Sequence, residues 1–390
     1  MKNDLLGNII FRSTSYAKNK KTMSIKKIAY LLCFVALLCG CTGAKSQQDE
    51  SATIQSRSGN LQLRIKNNDA NLAQEDKSAE CQEFRVMFYN VENLFDTYDD
   101  PDKRDDDFLP NGSMRWTPTR YNDHLRKTAQ VISAIGEWDT PAICGMCEVE
   151  NDTVLVHLLN RTPLREQHYS YCITTGSDTR GINNALIYQR DKFRYLGHSS
   201  ERIPFTDKKR LSRDILHVWG ELITGERLDI FVCHFPSRSG GEKESEPDRI
   251  DATKHLRKLC DSLYRINGEA NIIAMGDFND TPSDKSIGYL IKGSRAATNL
   301  INLFGDPKKL NFPGSHKFQG EWSQLDQMFI SRNMNKYLKS GSPRIFAEEF
   351  ILSTNNRGEK APLRNFQGPI YRNGFSDHLP IVADFLLPLN

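Results

Sequence analysis

The chain has 390 residues, of which 26% are charged and 38% hydrophobic, which suits one large or two ordinary globular domains with polar appendages. Its net charge of +3 is mild. That charge permits a phosphate-bearing substrate and gives no support to the dense cationic face of a strong nucleic-acid binder.

The first 41 residues read as a leader rather than as part of a fold. Met23-Ser24-Ile25-Lys26-Lys27 is basic, and the apolar run from Ile28 to Leu38 is too short to span a membrane comfortably. Met23 opens a better signal peptide than Met1. The run closes on Leu38-Cys39-Gly40-Cys41, which resembles the lipobox of a bacterial lipoprotein. Cys41 is therefore expected to be acylated and to become the mature N-terminus; an ordinary secretory signal or a signal anchor is the alternative. Residues 42–82 are rich in Ser, Gln, Asn, Asp and Lys, cannot bury a core, and are expected to form a disordered tether. About 40 residues of coil reach on the order of 35 Å. The folded domain is expected over 83–390, exported and held at the periplasmic or cell-surface face of a membrane.

Within that domain Phe84–Tyr89 is the first predicted strand, and it ends at Asn90. The acidic run 98–107 lacks the alternating ligands, glycine and closing glutamate of a calcium loop and reads as a solvated insertion. Thr117 before Pro118 caps a helix that carries Tyr121, Leu125, Ala129, Ile132 and Ile135 and stops at Gly136. Strands follow at Ala142–Met146, just before Glu148, and at Ala185–Gln189. Leu228–Cys233 is a further strand that ends at His234. A second helix, roughly Arg249–Ile266, places Leu256, Leu259, Cys260 and Leu263 at i, i+3, i+4 and i+7, with Gly268 beyond its end.

Asn271–Met275 runs into Gly276-Asp277-Phe278-Asn279-Asp280-Thr281-Pro282, the most informative segment of the chain. It sets a carboxylate and a carboxamide two residues apart at a strand end, where both point the same way. Gly276 allows a close backbone approach, and the Asp280-Thr281-Pro282 turn ends the strand. Gln327–Ile330 and Leu379–Phe385 are the last strands, and Asp326 and Asp377-His378 stand just before them. If these two run antiparallel to the earlier strands, every polar terminus falls on one edge of a mixed sheet. Each residue alone has a bland reading as a turn, a solvated strand end or a satisfied core histidine; their coincidence argues for a shared site.

Nine cysteines are present, and Cys33, Cys39 and Cys41 fall in the leader. Cys81, Cys144, Cys147, Cys172, Cys233 and Cys260 remain. Cys144-Gly-Met-Cys147 has no second CxxC or Cys/His pair beside it, so buried thiols are expected rather than a zinc or redox site.

Seven segments together resemble the endonuclease/exonuclease/phosphatase superfamily, from about Phe84 to Leu386. They are Phe88-Tyr89-Asn90-Val91-Glu92-Asn93-Leu94-Phe95-Asp96, Cys147-Glu148-Val149-Glu150-Asn151, and Arg180-Gly181-Ile182-Asn183-Asn184-Ala185-Leu186-Ile187-Tyr188. Then come Cys233-His234-Phe235-Pro236-Ser237-Arg238, Gly276-Asp277-Phe278-Asn279, Leu325-Asp326-Gln327 and Ser376-Asp377-His378. The resemblance implies an α/β fold of two packed mixed β-sheets flanked by helices, a DNase I-like four-layer α/β sandwich.

It also implies roles. Asn90, Glu148 and Asp377 resemble ligands of a divalent metal, and oxygen-only donors suit Mg²⁺ or Mn²⁺. Asp277 would activate the attacking water, with Asn279 holding that water or a phosphoryl oxygen. His378 would contact the phosphate, oriented by Asp326, and His234 would protonate the leaving oxygen. Arg238, Arg180 and Asn183 are candidate substrate contacts, each with a bland reading as a loop or turn residue. Residues 357–372 form a long basic stretch before the last motif and are a further candidate for substrate contacts.

The expected activity is metal-dependent phosphodiester hydrolysis by a monomer, first as a nuclease on DNA or RNA, because His234 matches the DNase I-like branch. Hydrolysis of phospholipid head groups or of inositol or sugar phosphates is the alternative. An inactive surface binding module with the same fold is the remaining one. Neither a basic loop nor an aromatic wedge for gripping a DNA minor groove is evident in the sequence. If Cys41 is acylated, Cys41→Ser releases the protein from the membrane fraction; unchanged fractionation would exclude the lipobox.

Overall fold

The computed structural model describes residues 80–389. The expected leader, Cys41 and the tether up to residue 79 lie outside the described residues. Four early strands enter one sheet: β1 (Cys81–Leu94), β2 (Ile143–Val149), β3 (Tyr169–Ile173) and β4 (Asn183–Gln189). The next six form a second sheet: β5 (Arg194–Glu201), β6 (Ile215–Glu221), β7 (Arg227–His234), β8 (Asn271–Asp277), β9 (Ile301–Asn302) and β10 (Asp326–Ile330). β11 (Arg344–Ile345) and β12 (Ile381–Pro388) return to the first sheet. The strand orders are β11–β12–β1–β2–β4–β3 and β5–β6–β7–β8–β10–β9.

Both sheets are mixed. β1 is parallel to β2 and antiparallel to β12, while β7 is parallel to β8 and β8 antiparallel to β10. The late strands thus run against the early ones, as the polar termini require. The single polar-edged sheet read from the strand pattern is corrected to two: Asn90 and Glu148 belong to one sheet, His234 and Asp277 to the other. Apolar runs alone cannot separate these cases, because strands buried on both faces look alike in either sheet.

The inner faces are dry and tight, with Phe88, Met146 and Leu186 of the first sheet in one core with Val232, Met275 and Met328 of the second. Gly145 marks the closest approach. A Cβ there would lie 2.7 Å from the Met275 Cε and 3.3 Å from Val232, so any side chain would make Met275 repack. Helices α1 (Pro118–Gly136) and α2 (Asp152–Arg161) cover the first sheet, with Tyr121, Leu125, Ile132 and Leu155 in its core. Helices α3 (Glu242–Ile266) and α4 (Lys285–Ile291) cover the second, where Ala252, Leu256 and Cys260 pack on Phe231, Ile272 and Phe329. This is the four-layer α/β sandwich expected. Among the described residues no helix is long and apolar enough to cross a membrane.

Boundaries differ in instructive places. β1 starts at Cys81, paired with Pro388, two residues before the expected domain start. α3 begins seven residues before the expected Arg249 and runs through Pro247. That proline sits early in the helix, where its missing N–H costs one bond rather than the whole element. Cys144, Cys147, Cys172, Cys233 and Cys260 are buried thiols, as expected, and Cys81 is exposed.

One buried group ties a helix to the strand that carries Asn90. The His124 Nε2 on α1 donates to the Val91 carbonyl at 2.7 Å, its ring meets Trp116 edge-on, and its Nδ1 has no partner. Burial pushes the His124 pKa down to about 4. The unfolded chain titrates this group near 6.5, so between those values it binds a proton that the folded chain refuses. Its contribution is therefore lost as pH falls through that window, by about 3 kcal/mol at about pH 4. Denaturant melts of wild type and His124→Gln between pH 7 and 4 should show a steeper fall in wild type; parallel curves would exclude a neutral buried His124.

Candidate active site

The site is built first from register in the second sheet. His234, Asp277 and Asp326 are direct neighbours on β7, β8 and β10, so their side chains form a row across three adjacent strands. Gly276 makes that row possible, because a Cβ there would lie 2.3 Å from the Cys233 carbonyl oxygen of β7. Just beyond, Asn279 adopts a left-handed backbone, φ 51°, and its N–H donates to the Asp277 Oδ1 at 2.9 Å. One oxygen of Asp277 is thereby fixed, and the other, Oδ2, faces the cleft.

The first sheet presents its groups on turns that leave regular strand geometry. The β1–β2 register shifts after Asn90, and Glu92, Asn93 and Glu148 have φ of 51°, 56° and 64°. Such conformations cost on the order of 1–3 kcal/mol each in non-glycine residues and persist where surrounding bonds hold them. Here the Asn93 N–H donates to the Glu148 Oε2 at 2.9 Å, and the Glu92 N–H donates to the Asn90 Oδ1 at 3.0 Å. The Asn90 Nδ2 then reaches across to the second sheet and donates to the Asp277 Oδ2 at 3.2 Å.

The segment before β12 supplies the third side. The Ser376 hydroxyl donates to the Asn90 carbonyl at 2.7 Å and accepts the His378 N–H at 3.0 Å. His378 Nδ1 is bonded to the Asp326 Oδ2 at 2.7 Å, and its Nε2 lies 3.8 Å from the Asp277 Oδ2. His234 Nε2 lies 3.7 Å from that same oxygen and 3.8 Å from the Glu148 Oε1. Two imidazoles and an amide therefore converge on one carboxylate oxygen, with the imidazoles just beyond bonding distance.

Charge distinguishes the two histidines. Burial opposes a proton on His378, but Asp326, Asp277 and Asp377 outweigh it and hold its pKa well above the ordinary histidine value. His378 is an imidazolium at neutral pH. Burial, with Arg213, Arg180 and His378 nearby, holds His234 far below its ordinary value. The folded structure therefore favours the neutral form of His234. Asp277 is pushed by burial up to about 6, with Asp326 and Glu148 adding to the rise and His378 opposing it.

The remaining expected residues divide. Asn279 donates its Nδ2 to the Phe235 carbonyl at 3.1 Å, which fixes the orientation of its side-chain amide, while its N–H aims Asp277. Arg238 is not a free phosphate fork: it pairs with Glu242, Asp280 and Asp284 and bonds the Asn279 carbonyl at 2.8 Å. Asn183 spends its amide on the Glu150 and Gly181 carbonyls and accepts from Thr174 and Gly176, which holds its own loop. Arg180 is exposed, and its charge reaches His234.

Two residues in this network, Glu92 and His316, were not singled out by the sequence, while Arg364 belongs to the 357–372 stretch expected to contact substrate. Glu92 is buried, and its carboxylate accepts the N–H groups of both Asn365 and Phe366, at 2.7 and 3.0 Å. Arg364, next in the chain, pairs with the Asp377 Oδ2 at 2.7 Å. The His316 ring lies against His378 with centroids 4.6 Å apart. An acid two residues after Asn90 in an apolar strand was the available signal for Glu92.

Two groups of side chains have ligand atoms close enough to share an ion, Asp277–Asp326–His378 and His316–Asp377–His378. In both, His378 already spends its Nδ1 on the Asp326 Oδ2, which leaves one ring nitrogen to offer. Asn90 and Glu148 fit better. The Glu148 Oε1 accepts no hydrogen bond among the described residues, and the Asn90 Oδ1 has a lone pair to spare. A carboxylate and a carboxamide oxygen suit Mg²⁺, which keeps several waters of its own. Asp377, the third expected ligand, is held by Arg364 and groups with the two histidines rather than with Glu148.

A family model described as the Endonuclease/Exonuclease/phosphatase family matches residues 85–386. The chain belongs to this family, whose named activities all break phosphoester bonds. Two solved structures from Bacteroides thetaiotaomicron have a similar fold. An endonuclease/exonuclease/phosphatase family protein matches at TM-score 0.52 and 16% identity, over 80% of this chain and 100% of its own. A mannosyl-6-phosphatase matches at TM-score 0.50 and 17% identity, over 77% of this chain and 99% of its own. At these identities the likeness is one of fold. No curated protein matches the sequence.

The His378–Asp326 pair makes the role of His378 testable. His378→Ala should lower turnover of a phosphate ester by about 10²–10³-fold, as for other electrostatic donors to a transition state. It should also lower the melting temperature, since Asp326 is left buried without a counter-charge, a loss of about 3–5 kcal/mol. Adding Asp326→Ala should restore much of the stability and none of the rate. Recovery of rate, or a near-wild-type rate in the single variant, would remove His378 from the chemistry.

Proposed function

We propose that this domain hydrolyses phosphate esters by attack of water on phosphorus, assisted by Mg²⁺ or Mn²⁺. The observation that carries the proposal is the convergence on the Asp277 Oδ2, where His234 and His378 Nε2 stand 3.7 and 3.8 Å away. Polar groups at that spacing bracket room for a water or a phosphoryl oxygen. A divalent ion held by Glu148 and Asn90 would neutralise charge that grows on the phosphoryl oxygens.

This chain's own residues do the rest. Asp277, poised near pH 6 and aimed by the Asn279 N–H, takes the proton of the attacking water. His378, kept charged by Asp326, donates its Nε2–H to a non-bridging oxygen. His234 stands 3.8 Å from Glu148 and 3.7 Å from Asp277, placed to meet a leaving or phosphoryl oxygen that enters between them.

Of the two substrate classes, a compact phosphate ester is favoured over a nucleic acid. Short hairpins at 352–362 and 366–371 wall a cavity of about 410 Å³ against Asp377, beside His378. That volume holds a small molecule rather than a duplex. A nuclease is the second reading; its support is the position of His234. Lipid anchoring through Cys41 rests on the Leu38–Cys41 motif alone and is proposed on that basis.

The deciding experiment uses the purified, metal-stripped protein with Asp277→Asn as control. Hydrolysis of bis(4-nitrophenyl) phosphate and nicking of supercoiled plasmid are followed with Mg²⁺ and with chelator. The favoured reading expects ester hydrolysis that needs both metal and Asp277, with little nicking. Efficient nicking that needs both would make the nuclease the function, and no hydrolysis of either would refute the proposal.

A further inference from the structure

The cavity beside Asp377 is not part of the hydrolytic machinery, yet it is lined by more positive charge than its own acid can balance. Lys317, Arg364 and Arg372 face it together with Ser353, Gln367 and Asp377, and the strand 361–363 forms an apolar floor. Arg364 and Asp377 are paired at 2.7 Å, which leaves Lys317 and Arg372 without an acid. Lys317 donates one hydrogen bond, to the Lys360 carbonyl at 2.9 Å, and its ammonium lies 5.5 Å from the Trp322 ring centroid, so it has no anionic partner among the described residues. Arg372 bonds only the neutral Gln367 side chain, through Nε and one terminal nitrogen at 3.0 and 2.6 Å. The Arg364 Nε is buried and has no acceptor among the described residues.

Lys317, half-buried, and Arg372, exposed, thus present positive charge with no acid beside it among the described residues, which an anion would complete with charge-assisted hydrogen bonds. The location says which anion. The cavity opens beside Asp377, the residue before His378, so whatever fills it lies within one small molecule's reach of the scissile phosphate. Glu92 fixes the spacing, since its carboxylate holds the N–H groups of Asn365 and Phe366 directly after Arg364. Two uncompensated cations match a phosphoryl dianion better than a single carboxylate, and guanidinium suits its geometry.

We infer that this cavity binds a second phosphoryl group of the substrate, so that the preferred substrate is a compact phosphate ester bearing two phosphates. The inference rests on the phosphoesterase reading of the neighbouring site. Lys317 and Arg372 grip the second phosphate and do not touch the reacting one. Arg364 lines the cavity and holds Asp377 through a terminal nitrogen, which links the two.

The test is direct binding, because C–P bonds resist hydrolysis and the readout needs no turnover. Alkane-1,n-bisphosphonates of two to six carbons and the matching alkyl monophosphonates are titrated calorimetrically into the full-length protein with Mg²⁺. One chain length is expected to bind at least about tenfold more tightly than its monophosphonate, the gain of one or two charge-assisted hydrogen bonds. Lys317→Met and Arg372→Met, separately, are expected to erase that advantage while the monophosphonate affinity changes little. Equal affinity of both series for wild type, or an advantage that survives in both folded variants, would overturn the inference. Failure of the neighbouring site would show differently, as no hydrolysis of bis(4-nitrophenyl) phosphate by a protein that still prefers the bisphosphonate.

Discussion

Repulsion among carboxylates is the constraint that the whole site answers to. Glu148, Asp277 and Asp326 are carried toward one cleft by strands of two different sheets, and Asp377 by the segment before β12. Like charges in a low-dielectric cleft cost several kcal/mol unless something compensates them. Three devices do so here: His378 is forced to carry a proton, Asp277 is raised toward neutrality, and Arg364 takes one oxygen of Asp377. The same arrangement makes the site hungry for a cation, and it explains why the oxygens of Glu148 and Asn90 that remain open are the ones suited to hold one. An imidazolium placed against that acidity is then available to a phosphoryl oxygen.

The fold supplies the rigidity that such a cluster needs. Pairing His234, Asp277 and Asp326 abreast uses sheet register, which cannot slip by one residue without turning every side chain to the other face. The first sheet uses a different device: tight left-handed turns at Glu92, Asn93 and Glu148, held by hydrogen bonds that run between β1 and β2. The sheets are locked at Gly145, and Asn90 spans the gap between them. Strain on one side and register on the other thus meet at a single oxygen of Asp277.

Much of this was legible in the sequence because the strands that carry the chemistry are also the most apolar. Asn271–Met275 and Leu228–Cys233 announce themselves, and their polar termini follow at once. The polar edge strand Arg194–Glu201, mostly exposed or half-buried, has no apolar signature, and α4 is too short for periodicity to show. Long-range partners were the harder limit. Arg238 reads as a phosphate fork until Asp280, Asp284 and Glu242 are seen around it. Glu92 acquires its role from Asn365 and Phe366, more than 270 residues away in the chain. The lowered basicity of His234 comes first from burial and then from Arg213 and Arg180, contributed by two other loops.

The account turns on where metal and phosphate sit relative to the two histidines. Crystals of the domain soaked with Mn²⁺ and inorganic phosphate, measured at the manganese absorption edge, would show both. The expected result is an anomalous peak within about 2.0–2.3 Å of oxygens of Glu148 and Asn90, with a phosphate oxygen on the His378 Nε2 and His378 still bonded to Asp326. Manganese ligated by His378 itself, with the Asp326 bond broken, would contradict it.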